Sequence, residues 1–588
     1  MAAGTALSRL TGFGRNIALA IAIGQNDLTD SYNLANTTPN IIYELLLGGV
    51  LSATLVPLFV QLLARVDRGG ADAKAAWHDI SAVVTLAVIA SVVATLAFVA
   101  AAPLVVDLYF GDRTADQRAV GTTLVRMFAL QVVAYGAIAV TTALLNARRR
   151  FAAPMFAPIA NNLVVIAVIV ALPRVARSLD VGAFRQDGRG LAFLGLGTTL
   201  GVVAMALVQV SRLPAAGLWG RRARAVPSDR PEQGRAERRD RPQPGRADPA
   251  PSDPDGGTEG VPHSGTSGEG GADLGLRPVW DVRAPAVRRM LGLSGWTLGV
   301  VVANQLALLV VLRLPAQRGG GITAYLTALV FFLLPHGVYA VSVITALQPD
   351  MAERWAAGDG AGVGERVATG LRTITAVIVP AGVGLALVAG PLVRTLLLHG
   401  RFDAGDARLT ATTLTCFALG LPGFSGFLFL TRVWQSMQDT RSMFGFYVLE
   451  NGLNIVLAVV LFPRFGVPGL AAAYGASYTI AAAATLVVLA RRLPGPWLAG
   501  TRTFALRLVA ASAAMAAAVA LALLAIGAAL PPGSTRSAVQ LVVAVAVGGV
   551  AFLVAAALCR LGEVLALVAP LRRAVRAGAS RFGGRRAG

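Results

Sequence analysis

Two arginines stand in a stretch that otherwise reads as membrane helix. The chain opens SRLTGFGRNIALAIAIGQNDLTDSYNLANTTPNIIYELLLGGVLSATLVPLFV, with Arg9, Arg15, Asp30 and Glu44 among its apolar residues. An ionised side chain near a bilayer centre costs ~3 kcal/mol on insertion scales. Such groups persist where they face a water-filled cavity or pair inside a bundle, so they predict a polar site within the membrane. Its cations suit an anionic ligand, because a guanidinium fork binds phosphate oxygens bidentately. Arg9 and Arg15 lie about 120° apart on a regular helix. They share a face only if Gly12 and Gly14 break the helix between them. Arg9 alone is also readable as a side chain that snorkels to headgroups. Arg15 sits deeper, and Asp30 is its candidate counter-ion.

Asp30, Asn33, Thr37, Asn40 and Glu44 recur at spacings of three and four. On a helix they fall within about 80° of one face. A polar face inside a membrane looks at protein or water, never lipid. The stripe is either a hydrogen-bonded seam or a cavity lining; carboxylates at both ends favour the lining. Arg9, Arg15 and these five are the candidate substrate-binding residues. Arg126, Asn161, Asn162, Asn304, Gln305, His336, Glu450, Asn451 and Asn454 either line the same cavity or tie helices together.

The elements that must position these groups are membrane helices. Of 588 residues, 55% are hydrophobic and 14% charged, with mean hydropathy +0.64. That profile belongs to an all-α polytopic membrane protein. The net charge of +21 points away from nucleic acid, because the arginines lie in short loops between apolar segments. Two cysteines, both in apolar segments, argue against disulfides and thiolate metal sites. HExxH, CxxC and Walker A patterns are absent, so neither a hydrolase nor an ATPase is expected, and no cofactor or metal. The first apolar run has no clear cleavage site after it and reads as an uncleaved helix.

A span needs ~20 mostly apolar residues. That ruler marks about fourteen segments, near 5–24, 28–63, 79–108, 120–147, 152–173, 190–211, 287–312, 322–350, 367–398, 409–434, 442–462, 467–490, 504–530 and 537–560. Arginines after segments 2, 4, 12 and 14 place both termini in the cytoplasm. Arg174, Arg177, Arg185 and Arg189 run against that bias. Residues 213–283 are rich in Arg, Pro, Gly and acids and poor in aliphatics, which predicts a disordered cytoplasmic linker. Residues 561–588 form a basic tail.

The chain also repeats itself. Thr122-Thr123-Leu124 returns as Thr412-Thr413-Leu414, Asn161 as Asn451, Pro103 as Pro391 and Pro57 as Pro349, all near 290 residues apart. This predicts two parallel six-helix lobes, 1–212 and 284–492, with two further helices within 503–560. Transporters built this way bind substrate between the halves.

SRLTGFGR, TDSYNLANTTPN and GGVLSATLVPLFVQ closely resemble the start of the MurJ/MviN family, the lipid II flippases of peptidoglycan synthesis. HGRFDAGDAR and WQSMQDTRS fit as well, and the Y-x-L-L-x-G-G-V-L form looks like the actinobacterial branch. The resemblance spans the twelve repeat segments and the two that follow. It implies two lobes forming a V around a cationic cavity for the headgroup of lipid II, with Arg9, Arg15 and Asp30 at charged positions of the family. Two departures stand out. Tyr43 and Glu44 replace an arginine that many members carry after the PN pair. Val330 aligns with another, in segment 8. The expected activity is outward translocation of lipid II across the cytoplasmic membrane by alternating access, driven by membrane potential or an ion gradient, without covalent catalysis. Membrane lipids are expected partners, as are cell-wall or division proteins through the insert or tail. The rivals are a flippase for another polyprenyl-linked glycan, a cation-coupled multidrug exporter using Asp30 and Glu44, and a non-transporting scaffold for cell-wall enzymes.

Overall fold

A computed structural model describes residues 2–43, 50–111, 113–218, 275–281, 283–292 and 295–566. Among them there is no strand. Twelve helices are long and apolar enough to cross a membrane, as the composition requires.

The N-terminal set comprises α1 (Ala2–Ile23), α2 (Asp27–Tyr43), α3 (Val50–Arg68), α4 (Gly70–Phe110), α5 (Ala115–Ala129), α6 (Gln131–Ala147), α7 (Ala152–Val175), the short α8 (Val181–Gln186) and α9 (Gly188–Val210). The C-terminal set comprises α10 (Pro285–Gly292), α11 (Gly295–Arg313), α12 (Gly321–Pro335), α13 (Val341–Ala356), α14 (Gly360–Leu397), α15 (Ala404–Ser436), α16 (Thr440–Phe465) and α17 (Val467–Arg492). Helices α18 (Thr501–Ala529) and α19 (Ser534–Leu558) follow, and pack on each other and on α14.

The repeat is visible as packing. In the first set α1 lies on α7, α2 on α5, α3 on α4, α4 on α5, α6 on α9 and α7 on α9. In the second, α11 lies on α16, α12 on α15, α13 on α14, α14 on α15, α15 on α17 and α16 on α17. Each pairing in one set has its counterpart in the other. Even the turns agree: Arg149 (φ 56°) and Gln438 (φ 58°) take the same left-handed conformation. Each closes its turn with the same bonds, Arg149 N–H to Asn146 O and Arg150 N–H to Leu145 O, against Gln438 N–H to Gln435 O and Asp439 N–H to Trp434 O. The second set is held by a stack of rings, Phe332, Phe417, Phe424 and Tyr474, with centroids 5.1–6.0 Å apart. Beside it Gly420 and Gly475 let α15 and α17 touch backbone to backbone, where a Cβ on either would fall on the other.

Three of the segment readings gain detail. Twelve of the fourteen expected segments qualify by length and composition among the described residues; α1 and the α2–α3 pair, which is interrupted by residues outside that set, are not among them. Segment 2 is described as α2 up to Tyr43 and as α3 from Val50, and residues 44–49 between them lie outside the described residues. Segment 8 is interrupted by a π-turn at His336–Ala340, directly after Pro335, which has no N–H to donate and whose ring crowds the preceding turn.

The linker is shorter than 213–283. Leu213 and Leu218 are buried at its start. At its end Arg277 N–H donates to Ser81 Oγ (3.2 Å) and Val279 N–H to Thr85 Oγ1 (3.0 Å), strapping the chain onto α4. Ala284, Ala286 and Val287 then bury against α3, α4 and α6. The reading of disorder for 219–274 lies outside the described residues, as do Glu44 and residues 567–588 of the tail. Deleting 225–270 is expected to leave transport within about twofold of wild type, because that composition builds no core. Extending the deletion through 287 is expected to abolish it. A complementation assay with matched expression separates the two; loss in the shorter deletion would show that the insert does more than link.

Candidate functional site

Helix α1 runs unbroken from Ala2 to Ile23, so Gly12 and Gly14 do not bring Arg9 and Arg15 together. They serve close packing instead: a Cβ at Gly12 would meet the Asn162 amide, and one at Gly14 would meet Ile166. Asn162 Nδ2 donates to Ser8 O (3.3 Å) and Thr11 Oγ1 (3.0 Å), fixing α1 on α7. With α1 held there, its two arginines diverge. Arg9 reaches the C-terminal set, where its guanidinium lies on Gly337, in the space a Cβ would need. Gly337 sits inside the π-turn, the kind of helix irregularity that recurs at functional sites. Arg15 is half-buried, close enough to act electrostatically on the Tyr32 hydroxyl, and forms no ion pair among the described residues.

Asp30 is fully buried, and its partner is not Arg15. Its carboxylate accepts from Thr323 N–H (2.8 Å), Thr323 Oγ1–H (2.7 Å) and Ile322 N–H (3.4 Å). The two N–H groups belong to the second and third residues of α12, whose own N-cap, Gly320, has no side chain to offer. Asp30 caps that helix from the other set, and its charge suits the positive helix end. Asn33 Nδ2 adds a bond to Thr323 Oγ1 (3.0 Å). Thr37 Oγ1 turns back to Asn33 O (2.7 Å), and Asn40 is exposed. The stripe therefore divides: its first two members are a seam between the sets, Thr37 bonds within its own helix and Asn40 is exposed.

Around Asp30 one face is closed. Arg401 N–H donates to Ile21 O (3.1 Å) and Thr410 Oγ1 to Gln25 Oε1 (3.0 Å). Arg113 pairs with Asp27 (2.5 Å) and reaches Gln317 O (3.5 Å). All the hydrogen bonds joining α1–α9 to α11–α17 among the described residues lie at this end. Deeper in the seam the contacts are Phe13 on Phe331, edge to face at 4.7 Å, and Arg9 on Gly337. The grip is polar at the closed end, and deeper in it includes a ring contact and a guanidinium on backbone.

Several remaining polar residues are glue. Asn451 Nδ2 donates to Asn304 Oδ1 (2.8 Å), joining α16 to α11. Ser477 Oγ donates to Glu450 Oε1 (3.2 Å), and His336 Nδ1 meets Ser425 Oγ (3.0 Å). Thr323, Gln25, Arg113 and Gly337 carry seam contacts and were not singled out from the sequence. Only the loop motif around Arg401 gave any signal, since a Thr at a helix start and a Gly inside a helix look ordinary.

A family model described as lipid II flippase MurJ matches residues 19–543. The "Probable lipid II flippase MurJ" of Rhizobium tropici is 25% identical over 505 residues, covering 84% of this chain and 81% of that protein. The lipid II flippase MurJ of Burkholderia cenocepacia is 24% identical over 441 residues, 74% of this chain and 72% of that one. Among solved structures, a lipid II flippase MurJ in an inward closed conformation superposes with TM-score 0.69 at 16% identity, covering 94% of this chain and 97% of that chain. An inward-facing multidrug transporter of the MATE family gives 0.59 at 11% identity, covering 82% and 93%. Those two likenesses speak to fold alone.

Proposed function

This chain belongs to the MurJ lipid II flippase family, and on that premise we propose that it carries lipid II across the cytoplasmic membrane by alternating access. The observation that carries the reading is the seam. A buried carboxylate from one helix set caps a helix of the other at one face, while two guanidiniums from α1 stand further in without acidic partners among the described residues. That arrangement suits a diphosphate headgroup better than a drug cation, since Asp30 is already occupied by helix α12 and the free charges are positive.

The orientation follows from the arginines. Arg65, Arg68, Arg148–Arg150, Arg491 and Arg492 sit at the face opposite the Asp30 closure, which the positive-inside rule makes cytoplasmic, with both termini. The structure is then shut to the outside. Helix α1 and the α2–α3 pair span alongside the twelve apolar helices, giving fourteen. The lobes are 1–212 and 284–492, with the linker between them and two added helices within 503–560. Arg9, Arg15, Asn33, Thr37, Asn40 and Glu44 are the residues we assign to the headgroup path, with Asp30 as latch. An inside-negative potential favours outward movement of an anion by ~2.3 kcal/mol per charge per 100 mV, which supplies direction without covalent chemistry. An ion gradient is the alternative source. Contacts of the insert or tail with cell-wall proteins stay a secondary proposal.

Depleting the protein in cells tests the substrate. Lipid II is expected to accumulate and to become inaccessible to reagents added from outside. Accumulation of a different polyprenyl-linked glycan, with lipid II still exposed outside, would transfer the assignment to that glycan.

A further inference from the structure

The two lobes differ at one matched place. In the C-terminal set the turn after α15 places Asp439 at the start of α16. Its carboxylate accepts from Ser442 N–H (2.9 Å) and pairs with Arg492 at the end of α17 (2.6 Å). That ion pair ties the α15–α16 turn to the end of α17. In the N-terminal set the same turn follows α6, but Arg150 takes the place of Asp439 by the turn's hydrogen bonds, and Phe151 takes it by the start of α7. At the end of α9, where Arg492 has its counterpart, stands Arg212. Two cations replace a cation and an acid.

The tie is missing, and a crevice of about 720 Å³ lies between α6, α7, α9 and the start of α1. Arg149, Arg150 and Arg212 line it, with Phe151, Met155 and Phe156 as apolar wall. None of the three arginines joins an ion pair among the described residues, whereas their neighbour Arg148 is held by Asp67 at 2.7 Å. Phe151 gives α7 no side-chain cap, so the positive end of that helix adds to the same potential. Phe156, in the second turn of α7, is 47% exposed.

We infer that this crevice is a second anion site, separate from the central seam, which takes the phosphate or diphosphate of a lipid in the leaflet on that face. The guanidiniums hold the phosphate oxygens and the phenylalanine wall receives the first part of the lipid chain. The placement in the inner leaflet rests on the proposed orientation; the site itself does not. The same chemistry is offered by a bulk anionic phospholipid and by a prenyl diphosphate waiting to enter the seam.

The test is native mass spectrometry of the full-length protein in detergent, titrated separately with phosphatidylglycerol, phosphatidylcholine, farnesyl diphosphate and inorganic phosphate. The informative variant is Arg150→Asp, which restores the acid–base arrangement of the other lobe against Arg212 and so removes the site without leaving a buried charge unpaired. The expected result is binding of phosphatidylglycerol, farnesyl diphosphate or both, about tenfold or more weaker in Arg150→Asp and weakened likewise in Arg149→Gln/Arg212→Gln. Arg15→Ala should leave unchanged the part of the binding that Arg150→Asp removes, which separates this site from the seam. Loss of phosphatidylglycerol alone would identify bulk lipid as the occupant, and loss of farnesyl diphosphate alone a docking station for substrate. Equal binding by wild type and both crevice variants would overturn the inference, as would inorganic phosphate binding as tightly as either amphiphile. Neither of those results touches the depletion experiment, whose outcome depends on the flippase reading alone.

Discussion

Asp30→Ala is expected to cut flipping by about tenfold or more and to leave the face around Asp30 unlatched. The carboxylate satisfies two N–H groups and a hydroxyl at a fully buried helix end. Each buried group left unsatisfied costs ~1–3 kcal/mol. Two orphaned N–H groups then shift the balance away from closure by roughly 2–6 kcal/mol, and about 1.4 kcal/mol is already tenfold. Asp30→Asn keeps one acceptor oxygen and should fall between. The readout is cross-linking of a Gln25→Cys/Thr410→Cys pair across the closed face, with Cys416 and Cys559 replaced. Yield should drop in Asp30→Ala before any loss of folded protein. Wild-type yield together with wild-type flipping would sink the latch.

Arg15→Ala is expected to lower flipping by about ten- to a hundredfold while the protein still inserts, the size of one lost charge-assisted fork. Arg15→Lys should restore only part, since an ammonium keeps charge but not the planar pair of donors. The double change Arg15→Ala/Asp30→Ala separates substrate binding from simple neutralisation. If the two residues only balanced each other, removing both would recover activity. The geometry says otherwise, because Asp30 spends its acceptors on α12. The deficits should therefore add, as they do for independent sites. Recovery in a flippase assay at matched expression would refute a substrate role for Arg15. Tyr43 and Val330 stand where an added arginine would align, so the path has little positive charge to spare.

The sequence made the architecture readable because bilayer helices and their loops obey simple rules of length and charge. The duplication showed too, since Asn161 and Asn451, or Pro57 and Pro349, keep one spacing. Arg9, Arg15 and Asp30 could be singled out because charge inside a membrane is costly wherever it stands. Their partners could not. Whether Asp30 meets Arg15 or the end of α12 depends on how two helices 290 residues apart are docked, and periodicity carries no such information. Gly12 and Gly14 show the same limit: a glycine pair permits a break or a close contact, and here Asn162 and Ile166 on α7 decide for contact.

The latch has a consequence for how such a chain could have arisen. Asp30 and Thr323 are 293 residues apart, and Tyr32 and Tyr325 keep the same interval beside them. The two sides of the bond are thus counterparts, one from each copy, meeting where the rotation axis leaves the membrane. An ancestor made of two identical halves would have set like against like there. Two carboxylates at such a distance repel and are driven to share a proton; two threonines bring no charge to a helix end. A symmetric homodimer cannot close this face with the same bond. Once the two copies differ, one keeps the acid and the other the bare helix start, and the bond then joins them across the seam.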